Sequence, residues 1–286
     1  MNKNLRVSVV IPVYNEEDDL AACLEALALQ SVAPYEVIVV DNNSTDNTVA
    51  VALRFPFVRV LHEPKQGVVH ARTTGFDAAR GDIIARIDGD TLVPTNWTVS
   101  IQKIFQDDSI DAVSGVALYY NVALAGVFNA IDLFFRRRLS WQLRDRVYLY
   151  GANMAMRRSS WHDVRPHLCG RGGMHEDYDI AIHLQEIGGK VVFDERLKAQ
   201  VSSRRIDVGY LSFLRYVWIA PSTYAQHRVR SRWHMYSVVL LCALCYMPAR
   251  LLHRGYDTET DSFSLSKAFA PSQLMARPDP TANVAD

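Results

Sequence analysis

The stretch Ile83-Ile84-Ala85-Arg86-Ile87-Asp88-Gly89-Asp90 is an apolar run that ends in two carboxylates one residue apart. The run predicts a buried strand, so Asp88 and Asp90 should project from its carboxyl end, where open α/β sheets bind ligands. An Asp-x-Asp pair at that edge suits a hard divalent cation, which takes oxygen ligands. Taken alone, such a pair is more often a solvated turn. Whether Asp88 and Asp90 form a cation site therefore depends on the surrounding sequence.

Two earlier segments have the same organisation. Residues 7–13 and 37–40 are rich in β-branched residues, which predicts strands buried on both faces. The first strand leads into Tyr14-Asn15-Glu16-Glu17, where we expect Asn15 to cap a helix and Glu16 to lie in its first turn. The second leads into Asp41-Asn42-Asn43-Ser44-Thr45-Asp46-Asn47-Thr48, which is rich in helix-capping residues.

The pattern continues to the opening stretch. A third strand is predicted over 58–61 and a third helix over 68–80, with Gly81 as its C-terminal cap. Strands and helices therefore alternate as βαβαβαβ in the first 90 residues. This alternation is typical of a largely parallel sheet between two helical layers.

The second half contains a further acidic motif. Residues 148–158 predict a strand, and three glycines at 170–173 predict a mobile loop of the kind that closes over substrates. Glu176-Asp177 follow, at the start of a helix that Gly188-Gly189 should end. Negative charge is favourable at a helix N-terminus, so the motif taken alone is also explained as a stabilising feature.

Together these segments resemble the family 2 inverting glycosyltransferases, which have the GT-A nucleotide-sugar fold. The resemblance covers about residues 5–205. It rests on five segments in the family's order: residues 9–16, residues 39–48, Gly67 with Ala71-Arg72, Asp88-Gly89-Asp90, and Glu176-Asp177. It implies an α/β fold with a mostly parallel mixed sheet flanked by helices. Residues 1–115 would form a Rossmann-like nucleotide-binding half and residues 116–205 an acceptor half.

The resemblance also implies roles for individual residues. The nucleotide-sugar donor would be bound by Pro12, Tyr14, Glu16, Asp41, Gly67, Arg72, Asp88 and Gly89. Asp90 would hold Mg2+ or Mn2+, Asp177 would be the general base, and Glu176 would orient the acceptor or the loop. Acceptor or diphosphate contacts are expected from Asn153, His175, Arg204 and Arg205. Thr73 and Asn42 depart from the family, which commonly has Asn and Asp there, and this leaves the nucleotide open; uridine is the first expectation.

Simpler explanations exist for several of these residues. Asp41 and Asp46 are also explained as cap or turn residues, Glu16 as a helix charge, and Arg72 as a surface charge on a helix. Pro12 is also explained as a residue that shapes the end of the strand and has no contact with substrate. His175 is also explained as a polar surface residue, and Ser203-Arg204-Arg205 as a solvated turn. Two other functions also stay open. One is a sugar nucleotidyltransferase, and the other is a non-catalytic module that binds nucleotide-sugars.

Composition limits the class of protein. The chain has 286 residues, 49% of them hydrophobic and 22% charged, which is typical of a globular protein. The formal net charge is zero, so nothing favours nucleic acid as a partner. We expect the four cysteines to be free thiols in a reducing compartment rather than a metal framework. No secretory signal is recognised, so a cytoplasmic protein is expected, with contact at the inner face of the cell membrane as an option.

The C-terminal part has a different character. Residues 206–254 are rich in aromatics and arginines and contain the uncharged run Met235–Met247, which at thirteen residues is short for a bilayer span. We expect this part to form a C-terminal helical appendage, for which packing on the domain and contact with a membrane surface are equally expected. Residues 116–135 form a second long apolar run, which should be a packed helix. Residues 255–286 are polar and predict a disordered tail.

One further motif bears on the reaction. The processive synthases of the family carry Gln-x-x-Arg-Trp, whereas here Val229 stands three residues before Arg232-Trp233. The resemblance therefore implies the addition of one sugar per encounter with a hydroxyl acceptor, either a saccharide or a lipid-linked molecule.

Overall fold

The computed structural model describes residues 4–120, 125–143, 147–170, 173–204, 208–229, 232–257 and 262–268. The strands are β1 (Val7–Val13), β2 (Glu36–Asp41), β3 (Val58–His62), β4 (Ile83–Ile87), β5 (Ala112–Tyr119), β6 (Asn153–Arg157), β7 (Val191–Val201), β8 (Tyr256–Asp257) and β9 (Ser262–Phe263). The α-helices are α1 (Leu20–Ala28), α2 (Thr48–Ala52), α3 (Val68–Ala78), α4 (Trp97–Ile104), α5 (Ala125–Leu143), α6 (Arg158–Val164), α7 (Glu176–Glu186), α8 (Tyr210–Gln226), α9 (Arg232–Gly255) and α10 (Leu265–Ala268).

The first seven strands form one sheet in the order β3-β2-β1-β4-β6-β5-β7. Strands β1 to β4 pair in parallel, and so do β5 and β7. Only β6 runs against its two neighbours. The prediction of a mostly parallel mixed sheet flanked by helices is therefore confirmed.

Both faces of the sheet are covered, which explains the continuous apolar sequence of the central strands. Val9 and Ile11 of β1 pack in a cluster with α1 and α4, around the fully buried Trp97. Val10, between them in sequence, packs in the cluster on the opposite face, around the fully buried Trp161. Side chains of alternate residues thus enter different core layers, and the strand ends are held between them.

Several predicted element boundaries are wrong. Helix α1 begins at Leu20 after Asp19, and Asn15 has φ 53°, so Asn15 is not its cap and Glu16 lies in the preceding loop. Helix α3 ends at Ala78, so Gly81 does not cap it. Glycine is needed at 81 for another reason: a Cβ there would lie 2.7 Å from the Arg6 carbonyl oxygen on β1's approach.

Two strands also differ in extent from the prediction. Strand β6 begins only at Asn153, because the Asn153 N–H closes a turn onto the Tyr150 carbonyl at 2.9 Å. The run at 116–135 is not one helix, since its first residues belong to β5 and the helix begins at Ala125. The residues between them, 121–124, lie outside the described part of the chain.

The C-terminal helices pack on the main domain through α7. Leu139 of α5, Ile182 of α7, Tyr224 of α8 and Met235 of α9 share one buried cluster. Helix α9 has 24 residues, so it extends on both sides of the thirteen-residue uncharged run Met235–Met247. An 18-residue window within its Trp233–Gly255 segment has mean hydropathy 1.7, and only 17% of that window is buried. By length and composition alone, this helix is able to cross a membrane.

The polar tail is not structureless throughout. Strands β8 and β9 form a short antiparallel pair, and α10 packs on α9. The prediction of disorder from residue 255 onward is therefore wrong for residues 255–257 and 262–268. Its remaining part lies outside the described residues.

Candidate active site

Loops after β1, β2 and β4 meet at the carboxyl edge of the sheet, as the sequence predicts. The first two loops are cross-linked by hydrogen bonds. The Glu16 N–H donates to the Thr48 hydroxyl at 2.7 Å, and the Thr45 N–H donates to the Asn15 side-chain oxygen at 2.8 Å. The helix-capping residue types at 41–48 therefore hold a neighbouring loop, which fixes Glu16 at the edge of the site.

Asp41 and Gly67 mark the end of the site formed by β2 and β3. Asp41 is buried, and its carboxylate accepts the Ser44 N–H at 3.1 Å and lies 3.1 Å from His62 Nδ1. Asn42 accepts the Gly67 N–H at 2.7 Å and donates to the Lys65 carbonyl at 2.7 Å. The departure at Asn42 thus has a structural role, since its amide both donates and accepts where a carboxylate could only accept.

Pro12 and Tyr14 are half-buried where β1 leaves the sheet. Pro12 pairs with Val40 in the register, and Gly89 packs close beside this strand exit. A Cβ at position 89 would lie 3.1 Å from Glu16 Cγ and 3.3 Å from Val13 Cγ1. A small residue between the two aspartates therefore lets the β4 loop approach the β1 loop.

Arg72 is not a surface residue, because only 1% of it is exposed. Its guanidinium carbon lies 5.2 Å from the Trp161 ring centroid, and its Nε and Nη1 atoms make no hydrogen bond within the described residues. Burial lowers the pKa of Arg72 to about 10, while the charge of Glu176 opposes that change. Arg72 thus provides a buried positive charge near Glu176, and two of its N–H donors are available to hydrogen-bond a ligand.

Arg204 lies within a group of carboxylates. It donates to both Glu16 carboxylate oxygens at 2.8 Å and lies 3.0 Å from Asp90 Oδ2 and 3.2 Å from Asp19 Oδ2. These contacts argue against a solvated turn at this position. Arg205 lies outside the described residues.

Asp90 is buried within the same group, with Asp88 beside it at the strand end. Burial raises the pKa of Asp90 to about 7; Arg204 opposes the rise, and Asp88 and Glu16 add to it. The side chains of Asp88, Asp90, Glu16 and Asp19 offer only oxygen donors, which is the donor set that Mg2+ and Mn2+ prefer. These residues therefore fit a hard divalent cation.

Glu176 and Asp177 form the second acidic pair, at the first turn of α7, and both are buried. Asp177 accepts the Gly151 N–H at 2.7 Å and the Tyr178 N–H at 2.9 Å. Burial and the adjacent Glu176 charge raise the pKa of Asp177 to about 7. The pKa of Glu176 is lowered to about 2 because the attraction of Arg86 and Arg72 outweighs its burial.

Arg86 connects the two acidic motifs. One of its nitrogens binds Glu176, and another lies 3.2 Å from Asp88 Oδ1. A Cβ at position 151 would meet the guanidinium at 2.7 Å, so Gly151 makes room for it. Arg86 was not predicted as a site residue, although a charged residue inside a strand as apolar as β4 indicates a specific partner.

Two other expected contacts have different positions. Asn153 is fully buried, accepts the Trp97 Nε1–H at 2.9 Å and donates to two carbonyls of the core, so it has no atom accessible to a substrate. His175 immediately precedes α7, with its N–H donating to the Thr223 hydroxyl at 3.1 Å. Its ring packs against Tyr178 and Tyr216, and it directly precedes Glu176 in sequence.

Comparison with known proteins agrees with this arrangement. The model of the family described as Glycosyl transferase family 2 matches residues 8–165. Uncharacterized glycosyltransferase YibD of Escherichia coli is 36% identical over 113 residues, which are 38% of this chain and 33% of that protein. Glycosyltransferase AglE of Haloferax volcanii is 30% identical over 179 residues, 59% of each chain. The chain thus spans about a third to three fifths of the length of these relatives.

The solved structures support the fold. Mannosyltransferase PcManGT from Pyrobaculum calidifontis, determined in complex with GDP-Man and Mn2+, superposes with a TM-score of 0.66 at 19% identity. The match covers 86% of this chain and 73% of that chain. Since the family model matches more than half of the sequence and the GT-A-like sheet agrees with it, the chain belongs to glycosyl transferase family 2.

Proposed function

We propose that the protein transfers a sugar from a nucleoside-diphosphate sugar to an acceptor hydroxyl, with inversion at the anomeric carbon and Asp177 as the general base. The observation that carries this proposal is the buried Glu176-Asp177 pair, whose neighbours move the two pKa values in opposite directions. Two adjacent carboxylates with separated pKa values are typical of an acid–base site.

Asp177 has the properties that a base in this reaction needs. With a pKa of about 7, it is substantially ionised at neutral pH yet basic enough to take a proton from an attacking hydroxyl. The Gly151 and Tyr178 N–H groups fix the orientation of its carboxylate. Glu176 stays ionised beside Arg86, so its negative charge keeps the pKa of Asp177 high. Arg86 also contacts Asp88 and thereby connects the Glu176-Asp177 pair to the donor side of the site.

The donor side is proposed to bind the diphosphate with a divalent cation. Asp90, with Asp88 beside it, would hold Mg2+ or Mn2+, which would stabilise the negative charge of the leaving diphosphate. Arg204 supplies positive charge at the same carboxylates and is expected to contact the diphosphate. The fit rests on the all-oxygen donor set. Burial raises the pKa of Asp90 to about 7, so a cation bound beside it would favour its ionised form.

Asp41 is proposed to accept an N–H of the nucleotide base. A carboxylate acceptor fits the imide N–H of uracil or thymine and the N–H groups of guanine alike. Uridine is the first base to test, and the matching guanosine and thymidine donors are the comparison. The family membership argues against a sugar nucleotidyltransferase, and the intact Asp90, Glu176 and Asp177 argue against a non-catalytic binding module.

The acceptor is proposed to be a saccharide or a lipid-linked molecule, to which one sugar is added per encounter. Helix α9 exposes large apolar side chains, including Trp233, Leu240 and Leu244, and α5 exposes Phe134 and Trp141. With arginines next to these helices, the region is suited to the surface of an anionic membrane. Such contact at the inner face of the cell membrane would bring a lipid-linked acceptor to α7, on which these helices pack.

The test compares Asp177→Asn with Asp163→Asn, a matched change at an exposed site. Nucleotide binding is measured by thermal shift with UDP, GDP or dTDP in the presence of Mn2+, and transfer is measured from the corresponding donor sugars. We expect Asp177→Asn to keep the nucleotide-dependent shift and to lose transfer, while the control keeps both. Transfer by Asp177→Asn at the wild-type rate would refute the base assignment.

A further inference from the structure

A second group of ligand-type side chains lies outside the proposed active site. Cys169 precedes α7, Asp179 and His183 lie one turn apart on α7, and His227 follows the last residue of α8. One ligand atom from each residue can be chosen so that all four lie within 4.8 Å of one another. We call this group the Cys-His cluster.

The distances within the Cys-His cluster suit a tetrahedral metal ion. Cys169 Sγ lies 3.4 Å from His183 Nε2, the same nitrogen lies 3.4 Å from Asp179 Oδ1, and His227 Nε2 lies 3.0 Å from that oxygen. Zinc bonds of about 2.0–2.3 Å at tetrahedral angles would place neighbouring ligand atoms about 3.3–3.6 Å apart. Since all four ligand atoms lie within 4.8 Å of one another, the wider pairs would have to close by up to about 1.5 Å to form the site.

Two buried atoms of the cluster face each other in a short contact that lacks good hydrogen-bond geometry. Asp179 is 3% exposed and the side chain of His227 is 7% exposed. Asp179 Oδ1 and His227 Nε2 make no hydrogen bond of acceptable geometry within the described residues, despite their short separation. Buried polar atoms without such a bond are costly, and an ion at the centre of the cluster would satisfy both.

Neighbouring groups orient the ligand atoms. His183 Nδ1 lies 3.1 Å from Glu186 Oε2, which leaves its Nε2 directed at Cys169 and Asp179. The Asp179 Oδ2 atom accepts the Cys169 N–H at 3.0 Å, which leaves Oδ1 for the cluster. A carboxylate behind a ligating imidazole is the usual outer contact of histidine in metal sites.

We propose that Cys169, Asp179, His183 and His227 bind one structural zinc ion, which ties α7 to the loop before it and to the end of α8. A thiolate with two imidazoles and a carboxylate favours zinc over Mg2+ and Mn2+, which prefer oxygen ligands. The site is therefore distinct in residues and in chemistry from the cation site at Asp90. On binding, the Cys169 thiol loses its proton to solvent, and both histidines bind as neutral imidazoles through Nε2.

The position of the ion gives it a role. Residues 170–175 form the glycine-containing segment between Cys169 and the Glu176-Asp177 pair. A zinc ion would fix Cys169 against α7, so this segment would be held at both ends. The sequence analysis did not find the site, because one cysteine and separated histidines form no recognisable spacing and only the packing of α8 brings His227 to α7.

The competing explanation is a metal-free network in which the Nε2–H groups of His227 and His183 point at Asp179 Oδ1, at 3.0 and 3.4 Å. The ring centroids of the two histidines lie 4.8 Å apart, and Glu186 faces the other nitrogen of His183. The two explanations differ in metal content. They also differ in response to chelation, because only the zinc site would lose stability when a chelator is added.

The experiment measures zinc in the purified full chain by mass spectrometry, after dialysis against zinc-containing and then metal-free buffer. We expect about one zinc per chain, as in closed structural sites, and at most about a tenth of that in His183→Ala/His227→Ala. His162→Ala, an exposed change elsewhere, and Asp90→Asn should both keep the ion. Zinc content in the wild type no higher than in the double variant would overturn the proposal.

A second measurement guards against a variant that fails to fold. Wild-type protein treated with a chelator should lose melting temperature, and Zn2+ should restore it where Mg2+ and Mn2+ do not. Co2+ in place of Zn2+ should give a thiolate-to-cobalt charge-transfer band that Cys169→Ser lacks and Cys245→Ser keeps. An equal band in Cys169→Ser, or a melting temperature unaffected by chelator and Zn2+, would also contradict the proposal.

Discussion

Replacement of Asp177 by asparagine should change how the stability of the protein depends on pH. In the folded protein the pKa of Asp177 is raised from 3.8 to about 7, mainly by burial and then by the charge of Glu176. Between pH 3.8 and about 7, the folded state therefore keeps a proton that the unfolded state has lost. The resulting stability is present at low pH and is lost as pH rises through about 7.

The size of the effect follows from proton linkage. With pKa values of 3.8 unfolded and about 7 folded, this carboxyl contributes about 2–3 kcal/mol more to the free energy of unfolding at pH 5 than at pH 8. Asparagine cannot ionise, so Asp177→Asn should lack this decrease. Its amide would also place an N–H₂ group near a backbone N–H, which lowers stability by about 1 kcal/mol at every pH.

The assay is urea denaturation of wild type, Asp177→Asn and Asp163→Asn at several pH values from 5 to 8. The difference in unfolding free energy between Asp177→Asn and wild type should rise with pH by about 2–3 kcal/mol, and that of the control should stay constant. The titration of Asp90, whose pKa is also about 7, occurs in all three proteins and cancels in the difference. Parallel curves for Asp177→Asn and wild type would refute the raised pKa.

Three further changes test other contacts. Arg86→Met leaves Glu176 buried without its cation, so the free energy of unfolding at pH 7 should fall by about 3–5 kcal/mol in urea denaturation; an unchanged value would contradict the pairing. Asp90→Asn should remove the Mn2+ dependence of the nucleotide-induced thermal shift, and an undiminished dependence would exclude Asp90 as a ligand. Trp233→Glu with Leu240→Glu should abolish sedimentation with anionic vesicles without lowering transfer to a soluble acceptor, whereas retained sedimentation would exclude α9 as the contact surface.

The sequence predicted the sheet edge well because its signals are local. Each of β1, β2 and β4 is a short apolar run followed directly by polar residues. The strand ends and the acidic motifs could therefore be predicted without tertiary information. Helix starts were less predictable. The polar residues after β1 looked like a cap, but they bind the loop after β2 instead, and no local pattern distinguishes these two uses of Asn15 and Glu16.

Partners brought together by packing were not predictable from the sequence. Arg86 lies next to Glu176 although 90 positions separate them, and Arg204 reaches Glu16 across 188 positions. Asn153 was expected near the substrates because it lies in the strand predicted over 148–158, whose small residues leave room for a sugar. Its side chain instead turns into the core, where Trp97 and two carbonyls use its amide.

Arg86 and Arg204 differ in how firmly they are held at the site. Arg86 is buried between Asp88 and Glu176, so its removal would leave Glu176 without its hydrogen-bonded cation and with Arg72 as the remaining arginine charge acting on it. Arg204 is 31% exposed at its side chain and contacts three carboxylates, each of which is also suited to face a divalent cation. Arrival of a cation would supply the positive charge that Glu16 and Asp90 require and would release Arg204 toward an anionic ligand. Arg86 therefore belongs to the fixed structure of the site, while Arg204 is the positive group whose contacts should change when a metal-diphosphate binds.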